Sequence, residues 1–116
     1  MLFKKSDYVV ICCDLNTTSK NLVRLKHLRL MKKSSSIINV SRGQIVNEGE
    51  LIYALKKGII NFACLDVFEK EPLDKKNKLL KMNNCILSSH NAFNSKDAVN
   101  KVNINTLKNL YKGLGY

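Results

Sequence analysis

The chain has 116 residues and a formal net charge of +11, from 20 Lys and Arg against 9 Asp and Glu. This length limits it to one small domain, and a hydrophobic share of 45% excludes a disordered polar tail. No apolar run approaches the roughly 20 residues of a membrane-spanning helix, and Lys4 and Lys5 come too early for a secretion signal, so we expect a globular domain in the cytoplasm without a membrane partner.

The first half of the chain predicts two buried strands and one helix. Residues 8–13 form a continuous apolar run, which is typical of a buried strand. Within residues 19–31, leucines and Met31 recur at every third position beside basic residues, which predicts an amphipathic helix in one or two pieces. Residues 37–40 predict a second strand that stops at the polar sequence Ser41-Arg42-Gly43.

The clearest helix signal in the sequence begins at Asn47. Asn47 and Glu50 have the spacing of a capping box, in which the N-cap residue and the third helical residue bond each other's backbone N–H. Apolar residues then recur on one face up to Leu55, two lysines follow, and Gly58 ends the pattern. We therefore predict a helix between Asn47 and Gly58.

The second half predicts two more strands and a final helix. Residues 61–68 and 85–88 are the third and fourth apolar runs. Residues 69–84 form a charged loop, broken by Pro72, in which we expect only the Leu79-Leu80 patch to be packed. Asn94 or Ser95 caps the last helix, whose shared apolar face comprises Val99, Val102, Thr106, Leu107 and Leu110.

Strands that alternate with helices or loops, with no hairpin signal between them, favour a parallel sheet with right-handed crossovers. We predict an α/β fold: a partial Rossmann-like (doubly wound) parallel sheet of about four strands with flanking helices. In such sheets ligands bind beyond the carboxyl ends of the strands. The polar residues that follow each strand are therefore the candidate site residues.

Each predicted strand is followed by residues of suitable chemistry: Asp14 and residues 17–19, then Ser41 and Arg42, then Asp66 with Glu69 and Glu71, and finally His90. Arginine presents a planar pair of donors that suits a carboxylate. A histidine beside a carboxylate can transfer a proton near neutral pH. Taken singly, each also suits a structural role, as a surface arginine, a turn former, a solvated loop charge or a strand-end histidine. Their expected meeting at one edge of the sheet favours a functional site.

The four cysteines, Cys12, Cys13, Cys64 and Cys85, all lie in apolar runs, and none forms a Cys-x-x-Cys pair. Adjacent residues of a strand point to opposite faces, which disfavours a disulfide or a metal site shared by Cys12 and Cys13. We expect four reduced thiols in the core and no metal site.

The excess of positive charge raises nucleic acid as a partner. The densest basic cluster lies in residues 20–33, and no aromatic residue is interleaved with it. We therefore expect no nucleic-acid partner, and a basic nucleic-acid binder is kept as an alternative.

Five stretches of the chain, in order and in spacing, resemble the NAD-binding domain of D-isomer-specific 2-hydroxyacid dehydrogenases. They are residues 6–10 (SDYVV), residues 31–32 leading into 38–43 (INVSRG), residues 51–58, residues 65–72 (LDVFEKEP) and residues 89–93 (SHNAF). The resemblance implies an NAD-dependent oxidoreductase that interconverts a D-2-hydroxy acid and a 2-keto acid. NADP is not excluded, and the identity of the acid stays open.

The resemblance implies three catalytic residues. Arg42 would bind the substrate carboxylate, His90 would be the acid and base, and Glu71 would orient His90. Glu71 is preferred to Glu69 because the family's acid directly precedes the proline. The resemblance also implies cofactor-binding positions at Cys13, Asp14, Ser19, Val40, Ser41, Arg42 and Asp66, with Asp66 at the nicotinamide carboxamide.

Parts of the family pattern are not found in this sequence. The family usually has proline where Asp14 and Ser89 stand, and its Gly-rich phosphate loop and substrate domain have no counterpart in the 116 residues. We therefore expect residues 1–116 to be a fragment, the C-terminal portion of an NAD-binding domain, inactive alone. Its expected partner is a second copy or a complementing N-terminal half. The alternative is a non-catalytic remnant that associates with a complementary chain.

Overall fold

A computed structural model describes residues 2–115 and contains one four-stranded parallel sheet. The strands β1 (Tyr8–Ile11), β2 (Ser36–Asn39), β3 (Phe62–Leu65) and β4 (Cys85–Leu87) lie side by side in the order β1-β2-β3-β4. Each pairs in parallel with the next, so that one row across the sheet runs through Val9, Ile37, Ala63 and Cys85. The predicted α/β fold with four parallel strands and flanking helices is confirmed.

Four α-helices accompany the sheet: α1 (Leu2–Lys5), α2 (Leu25–Leu28), α3 (Glu48–Lys56) and α4 (Lys96–Gly113). One 3₁₀ turn, at Gly43–Ile45, follows Arg42, and a second, at Lys78–Lys81, precedes β4. Within residues 2–115, no helix is both long and apolar enough to cross a membrane.

The hydrophobic core lies between α2, α3 and one face of the sheet. Alternate strand residues face the core because successive side chains of a strand point to opposite faces. The buried apolar residues that form it include Val9, Ile11, Ile37, Ala63 and Leu65 from the strands, and Leu28, Leu51, Ala54 and Leu55 from the helices.

The other face of the sheet is open to solvent over its edge strands. Tyr8, Val10 and Ile86 are exposed at 68%, 53% and 60%, and Val10 lies in one row with Ile38, Cys64 and Ile86. The apolar runs in the sequence predict strands that are buried on both faces. In the part of the chain that is described, β1 is instead buried on one face only.

The prediction that Cys12 and Cys13 lie in the core is wrong. All four cysteines are free thiols, but Cys12 and Cys13 are exposed, while Cys64 and Cys85 are half-buried. The reason is that β1 ends at Ile11, so the two residues that follow lie at the edge of the sheet. Among the described residues, no cluster of His, Cys, Asp and Glu could hold a metal ion.

The helix predicted within residues 19–31 is much shorter than its leucine pattern suggests. Only α2, four residues long, is helical, and Arg24 before it has extended backbone angles. Val23 instead pairs with Val46 in an isolated parallel bridge, with its N–H donated to Ile45 O at 3.0 Å. This tertiary pairing outweighs the local helix preference, and Leu22 is left 49% exposed.

The helix predicted after Asn47 is confirmed as α3. The Asn47 side chain accepts the Glu50 N–H at 2.9 Å, and Gly58 ends the helix with a φ of 62°. The capping box is only half made, because the Glu50 carboxylate accepts the Leu25 N–H and so ties α2 to α3.

The last helix, α4, is longer and more exposed than the others. Ser95 is its N-cap, accepting the Ala98 N–H at 3.1 Å, and none of its residues is buried. Its predicted apolar face is largely exposed, with Val102, Leu107 and Leu110 at 61%, 54% and 56%. In the preceding loop Leu79 is buried at 1% exposure, whereas Leu80 is 52% exposed, so the expected packing of that pair holds for Leu79 only.

Candidate active site

The four strands end at one edge of the sheet, since they are parallel and paired in sequence order. The segments that follow them are residues 12–19, 40–43, 66–72 and 88–95. All the candidate residues predicted from the sequence lie in these segments or next to them. The structure shows which of them form contacts.

Glu71 and His90 form a hydrogen-bonded pair. His90 Nδ1 lies 2.8 Å from Glu71 Oε2, and Glu71 Oε1 accepts the Phe68 N–H at 2.9 Å. Both side chains are about one-third exposed, at 36% for Glu71 and 39% for His90. A carboxylate at Nδ1 fixes the orientation of the imidazole ring and favours a proton on that nitrogen. His90 Nε2 makes no hydrogen bond to residues 2–115 and is left as the nitrogen that can exchange a proton with a ligand.

The electrostatics of the pair favour an ionised glutamate. Partial burial raises the pKa of the Glu71 carboxyl, but the hydrogen bonds from His90 and Phe68, with the charge of His90, outweigh it and hold that pKa below its ordinary value. Glu71 is therefore a carboxylate at neutral pH that can stabilise a protonated His90.

Asp66 holds the loop that carries His90 in place through hydrogen bonds. It is 4% exposed, and its Oδ1 accepts the Ser88 hydroxyl at 2.6 Å and the Asn91 N–H at 2.9 Å. Its Oδ2 accepts the Ala92 N–H at 2.8 Å. Burial raises the pKa of Asp66, but these hydrogen bonds and the charge of His90 outweigh it, so that its pKa lies below the ordinary value.

Asp66 also fixes the backbone of His90. His90 has a positive φ of 55°, an unusual conformation for a residue with a side chain. Its N–H donates to the Asp66 carbonyl at 2.9 Å. Asp66 thus holds this loop through both its carboxylate and its backbone, a role that the sequence did not indicate.

Arg42 lies on a short loop that a buried asparagine supports. Asn39, 1% exposed, donates its Nδ2 to the Arg42 carbonyl at 3.0 Å and accepts the Ser41 N–H on Oδ1 at 3.2 Å. The Arg42 guanidinium is exposed, and its Nη1 donates to the Ser41 carbonyl at 2.7 Å. Asn39 was missed from the sequence, although an amide within a buried apolar run is a detectable signal for a supporting role.

The structure does not join Arg42 to the Glu71–His90 pair. No hydrogen bond or ion pair links them within the described residues. Glu71 and His90 border a largely apolar cavity of about 510 Å³ whose walls include Phe68 and Leu87. Arg42 borders another cavity of about 330 Å³, lined also by Asp14, Leu15 and Ser41.

The remaining predicted cofactor positions divide into two groups. Cys13 and Asp14 adjoin the Arg42 loop, because the Ser41 hydroxyl donates to the Cys13 carbonyl, and Val40 beside it is 40% exposed. Ser19 instead is 6% exposed and stabilises its own loop, donating to the Asp14 carbonyl at 2.6 Å and accepting the Asn16 N–H at 2.8 Å.

The sequence matches one protein family over most of its length. Residues 1–92 match the family described as D-isomer specific 2-hydroxyacid dehydrogenase, NAD binding domain. The chain belongs to the D-isomer specific 2-hydroxyacid dehydrogenase family. It is 40% identical over 89 residues to a glyoxylate reductase of Pyrococcus horikoshii. The aligned stretch covers 77% of this chain and 26% of the relative.

Two further members show how much of a family protein the chain represents. It is 34% identical over 113 residues to the human glyoxylate reductase/hydroxypyruvate reductase, covering 97% of this chain and 34% of the relative. The NAD-complexed D-isomer specific 2-hydroxyacid dehydrogenase of Lactobacillus delbrueckii ssp. bulgaricus superposes with a TM-score of 0.82 at 30% identity, covering 98% of this chain and 39% of that one. The chain thus spans about a quarter to two-fifths of the lengths of these family members.

The residues of this family member fit one end of a nicotinamide dinucleotide. Asp66 Oδ2 receives a single protein hydrogen bond and retains acceptor capacity for an amide N–H. For the opposite end, the 116 residues contain no Gly-x-Gly-x-x-Gly sequence, and the acidic residue Asp14 lines the cavity beside Arg42. Asp66 therefore suits the amide of a nicotinamide, whereas residues 1–116 hold no phosphate-loop motif.

Proposed function

We propose that the chain supplies the carboxylate-binding and acid–base groups of an NAD-dependent oxidoreductase that interconverts a D-2-hydroxy acid and a 2-keto acid. The observation that carries this proposal is the hydrogen bond of 2.8 Å between His90 Nδ1 and Glu71 Oε2 at the carboxyl edge of the sheet. A histidine oriented by a carboxylate is well suited to transfer a proton to a carbonyl oxygen.

His90 gives a proton to the carbonyl oxygen when the 2-keto acid is reduced and takes it back when the hydroxy acid is oxidised. Glu71 fixes the ring through Nδ1 and stabilises the imidazolium form, which leaves Nε2 to carry the transferred proton. Arg42 binds the substrate carboxylate through its two-pronged guanidinium, once its bond to the Ser41 carbonyl is exchanged for the ligand.

Asp66 would accept an amide hydrogen bond from the nicotinamide, whose ring would supply or accept the hydride. Cys13, Asp14, Val40 and Ser41 would line the adjoining edge. Ser19 contributes by shaping the loop of Asp14. NAD is the proposed cofactor, and NADP stays an alternative because the sequence contains no residue that distinguishes them.

Because the chain spans about a quarter to two-fifths of the lengths of its relatives, the donors for the pyrophosphate and the substrate-facing domain of this proposed enzyme would come from outside residues 1–116. We propose that residues 1–116 are the C-terminal portion of an NAD-binding domain and that a complementing N-terminal portion provides these groups. Alone, the chain is expected to bind NAD weakly and to catalyse little.

The test is complementation. The first part of the NAD-binding domain and the substrate domain of a family member are expressed as separate chains, mixed with this chain and assayed for NADH oxidation with small 2-keto acids. We expect activity that falls by about 10²-fold or more in His90→Ala, as is typical for loss of a general acid, and in Arg42→Ala. His27→Ala and Arg29→Ala are the matched controls, since His27 packs on Phe3 away from the site. Absence of activity, or equal activity in all four variants, would refute the proposal.

A second candidate function, association without catalysis, is favoured by the open sheet face. Tyr8, Val10 and Ile86 are exposed apolar residues on this face, and exposed apolar patches can mark sites of protein–protein contact. Size-exclusion chromatography over a range of concentrations distinguishes it: a monomer at all concentrations contradicts this candidate, and a concentration-dependent dimer supports it.

A further inference from the structure

The segment that carries Glu71 contacts the Arg42 loop directly, backbone to backbone. Gly43 is buried against the peptide group between Phe68 and Glu69. A Cβ added to Gly43 would lie 1.9 Å from the Phe68 carbonyl carbon, 2.0 Å from its oxygen and 2.4 Å from the Glu69 nitrogen. Such distances allow no side chain, so this glycine permits an approach that any other residue would prevent.

Two side chains hold the Glu69 backbone directly after the point that Gly43 contacts. Gln44 Nε2 donates to the Glu69 carbonyl at 3.2 Å, and the Glu69 N–H donates to Glu48 Oε2, also at 3.2 Å. The second oxygen of Glu48 accepts Nδ2 of Asn77 at 2.7 Å. Glu48 thus connects the first turn of α3 to two points of the loop between β3 and β4.

This clamp, formed by Gly43, Gln44 and Glu48, is one step removed from the acid–base pair. It holds the peptide between Phe68 and Glu69 and the Glu69 carbonyl, and the N–H at the other end of Phe68 is the donor that Glu71 Oε1 accepts at 2.9 Å. A displacement of the held backbone reaches this donor through one residue, Phe68.

We infer that Gln44 and Glu48 are positioning residues that set the Glu71–His90 pair relative to the Arg42 loop. The inference rests on the proposed function for its catalytic meaning, but the positioning itself is a property of this chain. Arg42 and Gln44 flank Gly43, and so the loop that presents the carboxylate-binding arginine also carries the groups that hold the acid–base segment.

A purely local role for Glu48 is the competing explanation, because a carboxylate in the first turn of a helix interacts favourably with the helix dipole. The chain offers a matched control for it. Glu50 is the other acid in the first turn of α3, but its carboxylate accepts the Leu25 N–H and pairs with Arg24 at 3.8 Å. Neither contact involves the segment that carries Glu71.

The experiment is a pH titration of the glutamate carboxyl carbons by NMR in the full 116-residue chain. In Glu48→Gln we expect the pKa of Glu71 to rise toward the ordinary value of 4.5, because a loosened segment weakens the hydrogen bonds that lower it. Removal of a negative charge alone would lower this pKa, so a rise isolates the positional effect. Exchange of the Glu69 amide hydrogen should become about tenfold faster, the order expected for one lost hydrogen bond. Glu50→Gln should change neither quantity.

A paired substitution tests for rescue. In Glu48→Gln combined with Asn77→Asp, the new amide oxygen can accept the Glu69 N–H while its NH₂ group donates to the new carboxylate, and the net charge equals that of the original chain. We expect the pKa of Glu71 and the Glu69 exchange rate to return toward their original values. An unchanged pKa in Glu48→Gln, or an equal rise in Glu50→Gln, would overturn the inference.

A kinetic readout separates this inference from the proposed function. In the complemented enzyme, Glu48→Gln should reduce kcat more than it changes KM, because Glu71 does not contact the substrate carboxylate. A complemented enzyme without any activity contradicts the proposed function, whereas the titration decides the positioning role independently.

Discussion

Asp66 shows how a residue next to an acid–base pair can serve the fold and the chemistry together. It is buried, carries a negative charge and receives three hydrogen bonds, two of them from backbone N–H groups of the His90 loop. A buried carboxylate is tolerated only when its acceptor capacity is largely used. The position of His90 therefore depends on the ionised state of Asp66.

Replacement of this carboxylate by an amide gives the first prediction. In Asp66→Asn, one NH₂ group has to face a donor, either the Ser88 hydroxyl or a backbone N–H. We expect the free energy of unfolding at pH 7, measured in urea, to fall by about 1–3 kcal/mol, as for an unsatisfied buried donor.

The pH dependence of this loss follows from the lowered pKa of Asp66. A carboxyl with a lowered pKa in the folded state stabilises it fully above the unfolded value near 3.8, and the contribution is lost as the pH falls through the lower folded value. The difference between the original chain and Asp66→Asn should therefore shrink below about pH 3.8. A difference that stays constant down to pH 2.5 contradicts this account.

Gly43 and Gly49 provide the second prediction, as a pair with opposite signs. In Gly43→Ala the new methyl group meets the Phe68 backbone, and we expect a loss of about 1–3 kcal/mol or more in unfolding free energy. In Gly49→Ala the nearest atom is Asn47 Oδ1 at 3.7 Å, and alanine in place of glycine within α3 should stabilise the chain by up to about 1 kcal/mol. Similar effects of the two substitutions would show that the close approach at Gly43 is not decisive.

At the scale of elements, features set by local sequence signals could be predicted, and features set by tertiary contacts could not. The helix α3 was predictable because its N-cap at Asn47 and its end at Gly58 are local. The helix before it was not, because Val23 pairs with Val46, and that contact has no local signature. The third strand was predicted too long, since Val67 and Phe68 are buried although they lie beyond the last paired residue of β3.

The candidate site divides in the same way. The placement of Arg42, Glu71 and His90 at one edge followed from the parallel order of the strands. The choice of Glu71 over Glu69 depended on a family resemblance, and the structure has Glu71 bonded to His90 while the Glu69 backbone is held by Gln44 and Glu48. The supporting roles of Asn39 and Glu48 arise from contacts that only the fold creates.

The contrast between α3 and α4 gives the third prediction. Leu51 is 1% exposed and packs in the core, whereas Leu107 in α4 is 54% exposed. Leu51→Ala should cost about 2–5 kcal/mol of unfolding free energy, as is typical of a core leucine. Leu107→Ala should change it by no more than about 0.5 kcal/mol, measured by urea denaturation under the same conditions. A large cost in both variants would mean that α4 is packed in solution.

At the scale of the whole molecule, the chain carries more positive charge than its ion pairs can balance. Within residues 2–115, carboxylates pair with Arg24, Lys32 and His90, while the chain has 20 Lys and Arg. A large net charge of one sign destabilises the compact state through self-repulsion. Paired charges, in contrast, lose stabilisation when salt is added.

The fourth prediction uses salt to decide which of these effects dominates. We expect the free energy of unfolding to rise as sodium chloride increases from about 10 mM to about 150 mM, because the screening length shortens from about 30 Å to about 8 Å. Lys75→Glu with Lys76→Glu, in the exposed loop before β4, lowers the net charge from +11 to +7, since each substitution removes two positive units. This variant should respond less to salt than the original chain does. If stability instead falls with salt in the original chain, its few ion pairs outweigh the repulsion among the remaining basic residues.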